Sequence, residues 1–316
     1  MKIKNKIVLL LVFGLTGQFF SCQNSNSVLS EIENEEISTE FVSANLNISR
    51  YYTFGEALKD QINEGDGAGI DLSFRNSGVV IDETDNSYYA VNGVHPINSG
   101  DYSSYYPKSI VKASIYTDEI IQSYSFSSVN GHDIDMEALC FAENTTTLYI
   151  GDEYNYIYEL DLSTGSVTRE WDLSDLGIVN NIDKGIEAMT YSDGYFYIGI
   201  QEDKKIIKLD LNLSSEATTA TIVSSFNLDV SPSGLFAHSD GTLYVVSIDS
   251  NEQKIYRYKT DGTLLCELSI PSSLNIVRPD GIFIDKANEY VYIADSQGSI
   301  YNGYSLYKIV WLNQCN

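Results

Sequence analysis

Five segments of this 316-residue chain read apolar–apolar–charged in the same local context: Ile110-Val111-Lys112, Ile157-Tyr158-Glu159, Ile206-Ile207-Lys208, Ile255-Tyr256-Arg257 and Leu306-Tyr307-Lys308. Their central residues are 47, 49, 49 and 51 positions apart. Most are followed by a polar turn, such as Asp161-Leu162-Ser163-Thr164-Gly165, and then by a second apolar run at residues 120–126, 167–173, 222–228 and 264–270. Upstream of each core lies another strand-like run, at residues 88–92, 148–152, 195–201, 243–247 and 290–295. Before that comes a short run opened by a small residue: Ser77-Gly78-Val79, Glu137-Ala138-Leu139, Glu187-Ala188-Met189, Ser233-Gly234-Leu235 and Asp280-Gly281-Ile282. Four short strands repeated every 40–50 residues are the pattern of a β-propeller. The small residue fits the innermost strand, where backbones converge on an axis.

The expected fold is therefore all-β: a β-propeller of five four-stranded blades. A sixth blade would need strands hidden in residues 55–74. The fifth unit stops after its third strand, near Trp311, while residues 48–54 look like a fourth strand left over at the N-terminus. Pairing the two closes the ring and removes two sheet edges.

The N-terminus reads as an address. Lys2, Lys4 and Lys6 precede an apolar stretch over residues 7–20, too short for a spanning helix and suited to a signal peptide. The sequence Phe19-Phe20-Ser21-Cys22 resembles a bacterial lipobox, with Cys22 as the lipidation site. The expected organisation is a signal peptide over 1–21, an acidic flexible tether over 22–45 and the propeller over 46–316. It implies lipid anchoring to an outer membrane, on either the periplasmic or the surface side. Stable anchoring needs more than one acyl chain. Cys140 and Cys266 sit in apolar runs, where a free cysteine behaves as a small hydrophobe.

The chain carries 44 acids against 19 bases, a net charge of −25 that becomes −28 without residues 1–21. That balance argues against nucleic-acid and anionic-lipid partners. No G-x-S-x-G elbow, phosphate loop or H-E-x-x-H helix is present. The two longest second-to-third-strand loops belong to units one and five, which become neighbours on closure. They carry His95, Tyr102, Tyr105 and Tyr106, and Tyr301 and Tyr304. Aromatic loops over a channel mouth suit a sugar ring or a peptide.

Acids gather at the same mouth. Glu137, Glu187 and Asp280 open three of the innermost strands, and Asp152 and Asp295 end second strands. Converging carboxylates are costly unless neutralised, and a hard cation with oxygen ligands, Ca²⁺, does so. His132 and Asp133, beside this ring, are the weaker candidates for acid–base chemistry.

Three pairs of stretches resemble the SdiA-regulated (YjiK-like) propeller family, which repeats D-x-E-G-[IL] and then L-Y-[IV]-x-x-E. They are Asp135-Met136-Glu137-Ala138-Leu139 with Leu148-Tyr149-Ile150-Gly151-Asp152-Glu153, Arg278-Pro279-Asp280-Gly281-Ile282 with Val291-Tyr292-Ile293-Ala294-Asp295, and Ser233-Gly234-Leu235 with Leu243-Tyr244-Val245-Val246-Ser247. Esterase-like phytases and NHL or gluconolactonase-type propellers are near neighbours. Ala138 and Ala188 depart from the family glycine, and Asp280 from its glutamate. The resemblance implies an exported, calcium-binding propeller. The expected role is a lipid-anchored envelope module binding a glycan, peptide or envelope protein on its channel-mouth face. The alternative is a calcium-dependent hydrolase of ester, lactone or phosphoester substrates.

Overall fold

The computed structural model describes residues 42–45, 51–54, 72–96, 108–117, 119–126, 128–131, 134–178, 185–247, 249, 253–285, 290–296 and 306–310, with side chains from 76–91 and then from 109 to 309. The chain separates into two units, Met1–Glu40 and Phe41–Asn316, and the described residues belong to the second.

Five antiparallel sheets form the ring. Blade one contains β3 (Leu72–Asp82), β4 (Ser87–Pro96), β5 (Lys108–Ser114) and β6 (Ile120–Phe126). Blade two contains β7 (Met136–Phe141), β8 (Thr147–Asp152), β9 (Tyr156–Asp161) and β10 (Ser166–Asp172). Blade three contains β11 (Ile186–Ser192), β12 (Tyr195–Ile200), β13 (Lys205–Asp210) and β14 (Thr221–Asn227). Blade four contains β15 (Pro232–Ala237), β16 (Thr242–Ser247), β17 (Lys254–Lys259) and β18 (Leu264–Ser269). Blade five takes β19 (Pro279–Asp285), β20 (Tyr290–Asp295) and β21 (Leu306–Val310) from the C-terminal end. Its outer strand is β2 (Tyr51–Phe54), antiparallel to β21 with Thr53 opposite Tyr307, so the expected N-terminal closure holds.

One detail differs from the sequence reading. Val42–Asn45, the last four residues of the expected tether, form β1 and add a parallel fifth strand to β18. Parallel addition covers the outer edge of blade four, which would otherwise present unpaired backbone groups. Of the two cysteines in apolar runs, Cys140 is free and buried, and Cys266 is disulfide-bonded to a partner outside the described residues.

The core is divided among the blade interfaces. Val80 and Tyr89 of blade one pack with Leu139 and Ile150 of blade two. Tyr149 and Trp171 meet Met189 and Ile198, and Tyr197 and Ile206 meet Leu235 and Val245. Val246 and Ile255 meet Ile282 and Ile293, and Tyr292 and Leu306 meet Val79 and Ile81. The last of these joins blade five to blade one, so apolar burial as well as strand pairing closes the ring.

The apolar–apolar–charged repeat has a cross-strand explanation. The charged residue of each third strand stands opposite a tyrosine of the second: Lys112 opposite Tyr89, Glu159 opposite Tyr149, Lys208 opposite Tyr197, Arg257 opposite Tyr244 and Lys308 opposite Tyr292. Four of these charges are cations lying 5.3, 5.5, 5.6 and 5.4 Å from the tyrosine ring centroid. That is within cation–π range. Blade two inverts the sign: Tyr149 Oη donates to Glu159 at 2.9 Å, and Arg169 of β10 supplies the positive charge by donating to the same carboxylate.

Candidate functional site: the acidic channel mouth

Every innermost strand carries a register shift against its neighbour. It falls between Asn76 and Val79, Met136 and Ala138, Ile186 and Ala188, Pro232 and Gly234, and Pro279 and Gly281. A bulge inserts an extra residue and re-aims its side chain. The bulged residues are Glu137, Glu187, Ser233 and Asp280, with Ser77-Gly78 in blade one. The fold thus gathers at one mouth of the channel the positions that the sequence singled out.

Immediately inward, Gly78, Ala138, Ala188, Gly234 and Gly281 form a narrow waist, where the free space measures about 10 Å³. A Cβ on Gly78 would stand 2.6 Å from the Glu137 carbonyl oxygen, and one on Gly234 2.8 Å from Gly281 Cα. The alanines of blades two and three are tolerated because the partner strand supplies the glycine. Ala138 pairs with Gly151 and Ala188 with Gly199, whereas Gly234 pairs with Val246 and Gly281 with Ala294. The two alanines are therefore compensated across the strand pair. Space for about one water is all that the waist offers, so the two mouths are separate compartments.

At the acidic mouth, Asp135, Glu137 and Glu153 can each offer one carboxylate oxygen, and these oxygens lie within 4.8 Å of one another. Glu187, 3% exposed, lies beneath them. Burial, aided by the charges of Glu137 and Asp280, pushes its carboxyl up to about 8 against the opposing influence of Glu153 and Arg278. Glu187 and Glu153 share a side-chain hydrogen bond. Two carboxyls can do so only if one keeps its proton. Asp280 is also 3% exposed and rises to about 7. Its burial outweighs the Arg278 guanidinium, although Arg278 Nε donates to Oδ1 at 3.1 Å and lies 3.0 Å from Oδ2. Arg278 is itself held charged by Asp280, Glu187 and Glu137. Asp135, Glu137, Glu153, Glu187 and Asp280 thus stand near the Arg278 guanidinium among the described residues.

Asp152 and Asp295 occupy a different part of the geometry. Asp152 accepts hydrogen bonds from the backbone N–H groups of Asp135 (2.7 Å) and Tyr154 (2.8 Å), and Asp295 from those of Val277 (2.8 Å) and Arg278 (3.0 Å). Asp249 of blade four accepts from Ser231 N–H at 2.8 Å in the same way. These aspartates clasp the loop that enters their own blade, as Asx-type acceptors do. They hold Asp135 and Arg278 in place.

Of the expected ligand-binding residues, His95 lies on β4, opposite Ser73. There β3 and β4 run on from the Asn76–Asn92 pair to the Leu72–Pro96 pair, a hairpin extension of roughly 13–15 Å on the acidic side. Tyr102, Tyr105, Tyr106, Tyr301, Tyr304, His132, Asp133 and Cys22 lie outside the described residues. Sequence reasoning did not select Asp135, Glu153 or Arg278 as site residues. Their signals were present in the alternation of Asp135 with Glu137, in the Asp152-Glu153 pair and in Arg278-Pro279-Asp280.

No protein-family model and no curated protein matches the chain. Among solved structures, it is similar to glutaminyl cyclase from Myxococcus xanthus, with 11% identity, 86% of this chain and 99% of that chain covered, and a TM-score of 0.55. It also matches the β-propeller domain of Cps50 (Swd1) from Myceliophteria thermophila, at 9% identity over 71% of this chain and 63% of that one, with a TM-score of 0.42. The WD40 repeats of RRP9 match at 8% identity over 77% and 98%, with a TM-score of 0.43. At these identities the likeness concerns the propeller fold alone.

Proposed function

We propose that this propeller is a ligand-binding module whose acidic mouth takes a divalent cation, calcium, and through it a ligand or partner on the same face. The observation that carries this reading is the grouping of Asp135, Glu137 and Glu153 oxygens within 4.8 Å above the buried Glu187. An all-oxygen anionic donor set suits a hard cation, which takes six to eight oxygen ligands. Carboxylates alone do not fill that shell, so water or a ligand oxygen would complete it. The extended β3–β4 hairpin would flank such a ligand. The resemblance to SdiA-regulated propellers points the same way. Calcium titration into chelator-treated protein should raise the melting temperature, and Glu137→Gln with Glu153→Gln should abolish the rise. A rise that persists in the double variant would refute the assignment. Lipid anchoring at Cys22 is a further part of the proposal: Cys22→Ser should release the protein from the membrane fraction.

The near-neutral titration of Glu187 supports a second reading, the hydrolase. A buried carboxyl that holds its proton at pH 7 can act as a general acid. A screen of ester, lactone and phosphoester substrates separates the two readings. Turnover lost in Glu187→Gln, with calcium binding retained, favours catalysis; no turnover of any substrate leaves the binding module.

A further inference from the structure

Beyond the waist, at the mouth opposite the acids, the innermost strands diverge around a bowl of about 740 Å³. Its floor is one apolar residue per blade, Val79, Leu139, Met189, Leu235 and Ile282, each one position past the waist residue. Phe141, Tyr191, Phe236 and Phe283 wall it and remain half-buried. Sites for small molecules commonly enclose about 300–1,000 Å³, mostly apolar with a few polar groups that orient the ligand. Here the polar lining is made of hydroxyls such as those of Thr190 and Ser192, the imidazole of His238, which lies 2.9 Å from Asp240, and a single carboxylate, Glu83. Glu83 lies on the rim, and its carboxyl is pushed up by partial burial and by Asp285 beside it. Among the described residues no Lys or Arg lines the bowl.

An apolar interior with an anionic rim selects an apolar body bearing a positive head. We propose that the bowl binds a hydrophobic amine, its tail on the five-residue floor and its ammonium at Glu83, the one acid in the lining, with the buried Asp285 beside it. A carboxylate head would meet like charge there, and a neutral alcohol would gain no ion pair. The waist makes this site independent of the acidic mouth and of whatever is bound there.

The test is calorimetric titration of the intact chain, in EDTA, with heptylamine, octylamine and nonylamine, and with octanol and octanoate for comparison. Saturable binding at one site is expected, tightening about four-fold per added methylene, with octanoate at least about ten-fold weaker than octylamine. Glu83→Gln should reduce the advantage of octylamine over octanol while leaving octanol binding unchanged. Ala237→Trp and Ser192→Trp, at two half-buried lining positions, should each obstruct all binding, with the melting curve confirming a folded chain. The proposal fails if no amine binds saturably, if octanoate binds as well as octylamine, or if both tryptophan variants that fold bind normally.

Discussion

Five of the 24 tyrosines of this chain share one cross-strand contact. A tyrosine in each second strand faces a charge in the third, and in blade two that charge is Glu159, held by Arg169 and Thr168 as well as Tyr149. Arg169→Ala should cost about 2–4 kcal/mol in chemical denaturation, because it leaves a largely buried carboxylate without its cation. Glu159→Gln in the same chain should recover much of that loss. Glu187 and Asp280 give a pH prediction of unusual sign for acids. Their folded values, about 8 and about 7, lie above the unfolded carboxylate range, so the folded state holds more protons between pH 5 and 8. In EDTA, stability should therefore fall as pH rises through that window. Glu187→Gln should flatten the dependence and raise the melting temperature at pH 8 by on the order of 2–4 °C. A flat wild-type profile would contradict the burial argument.

At the scale of the element, the innermost strand performs three tasks in three consecutive residues. The bulged residue places an acid at one mouth in blades two, three and five, whereas in blade four Ser233 is buried and donates to the Pro279 carbonyl; the next residue closes the waist, and the third floors the opposite bowl. The waist position is set by space rather than by backbone conformation, and what faces it decides whether alanine fits. Gly234→Ala places a Cβ 2.6 Å from Val246 Cγ2 and 2.8 Å from Gly281 Cα, and should cost about 1–3 kcal/mol. Ala188→Gly, where Gly199 already provides room, should cost only about 0.5–1 kcal/mol, through strand entropy. Equal losses in denaturant titrations of the two variants would show that the waist is not closely packed. The repeated small residues were legible in sequence. The exchange of Gly and Ala between paired strands was not, because it depends on register.

Over the whole molecule, stability is distributed among five blade interfaces and one closing strand. Removing residues 1–54 takes away β2 and β1, leaving open the outer edges of β21 and β18. The shortened chain should melt at lower temperature and associate at higher concentration, as seen by calorimetry and light scattering, because exposed strand edges pair with other chains. The sequence by itself determined the number of blades, the four strands of each and the closing role of the N-terminal segment. All of these are periodic, and period survives in a linear string. Only the tertiary structure decided which acids act together. Asp152 and Asp295 are as regularly spaced as Glu187 and Asp280, yet they clasp backbone N–H groups, while Asp135, Glu153 and Arg278 join the mouth. It also disclosed the apolar bowl, whose floor residues lie about 50 positions apart and meet only when the ring closes. Spacing along a chain does not encode the direction of a side chain at a bulge, nor which side of a waist it occupies.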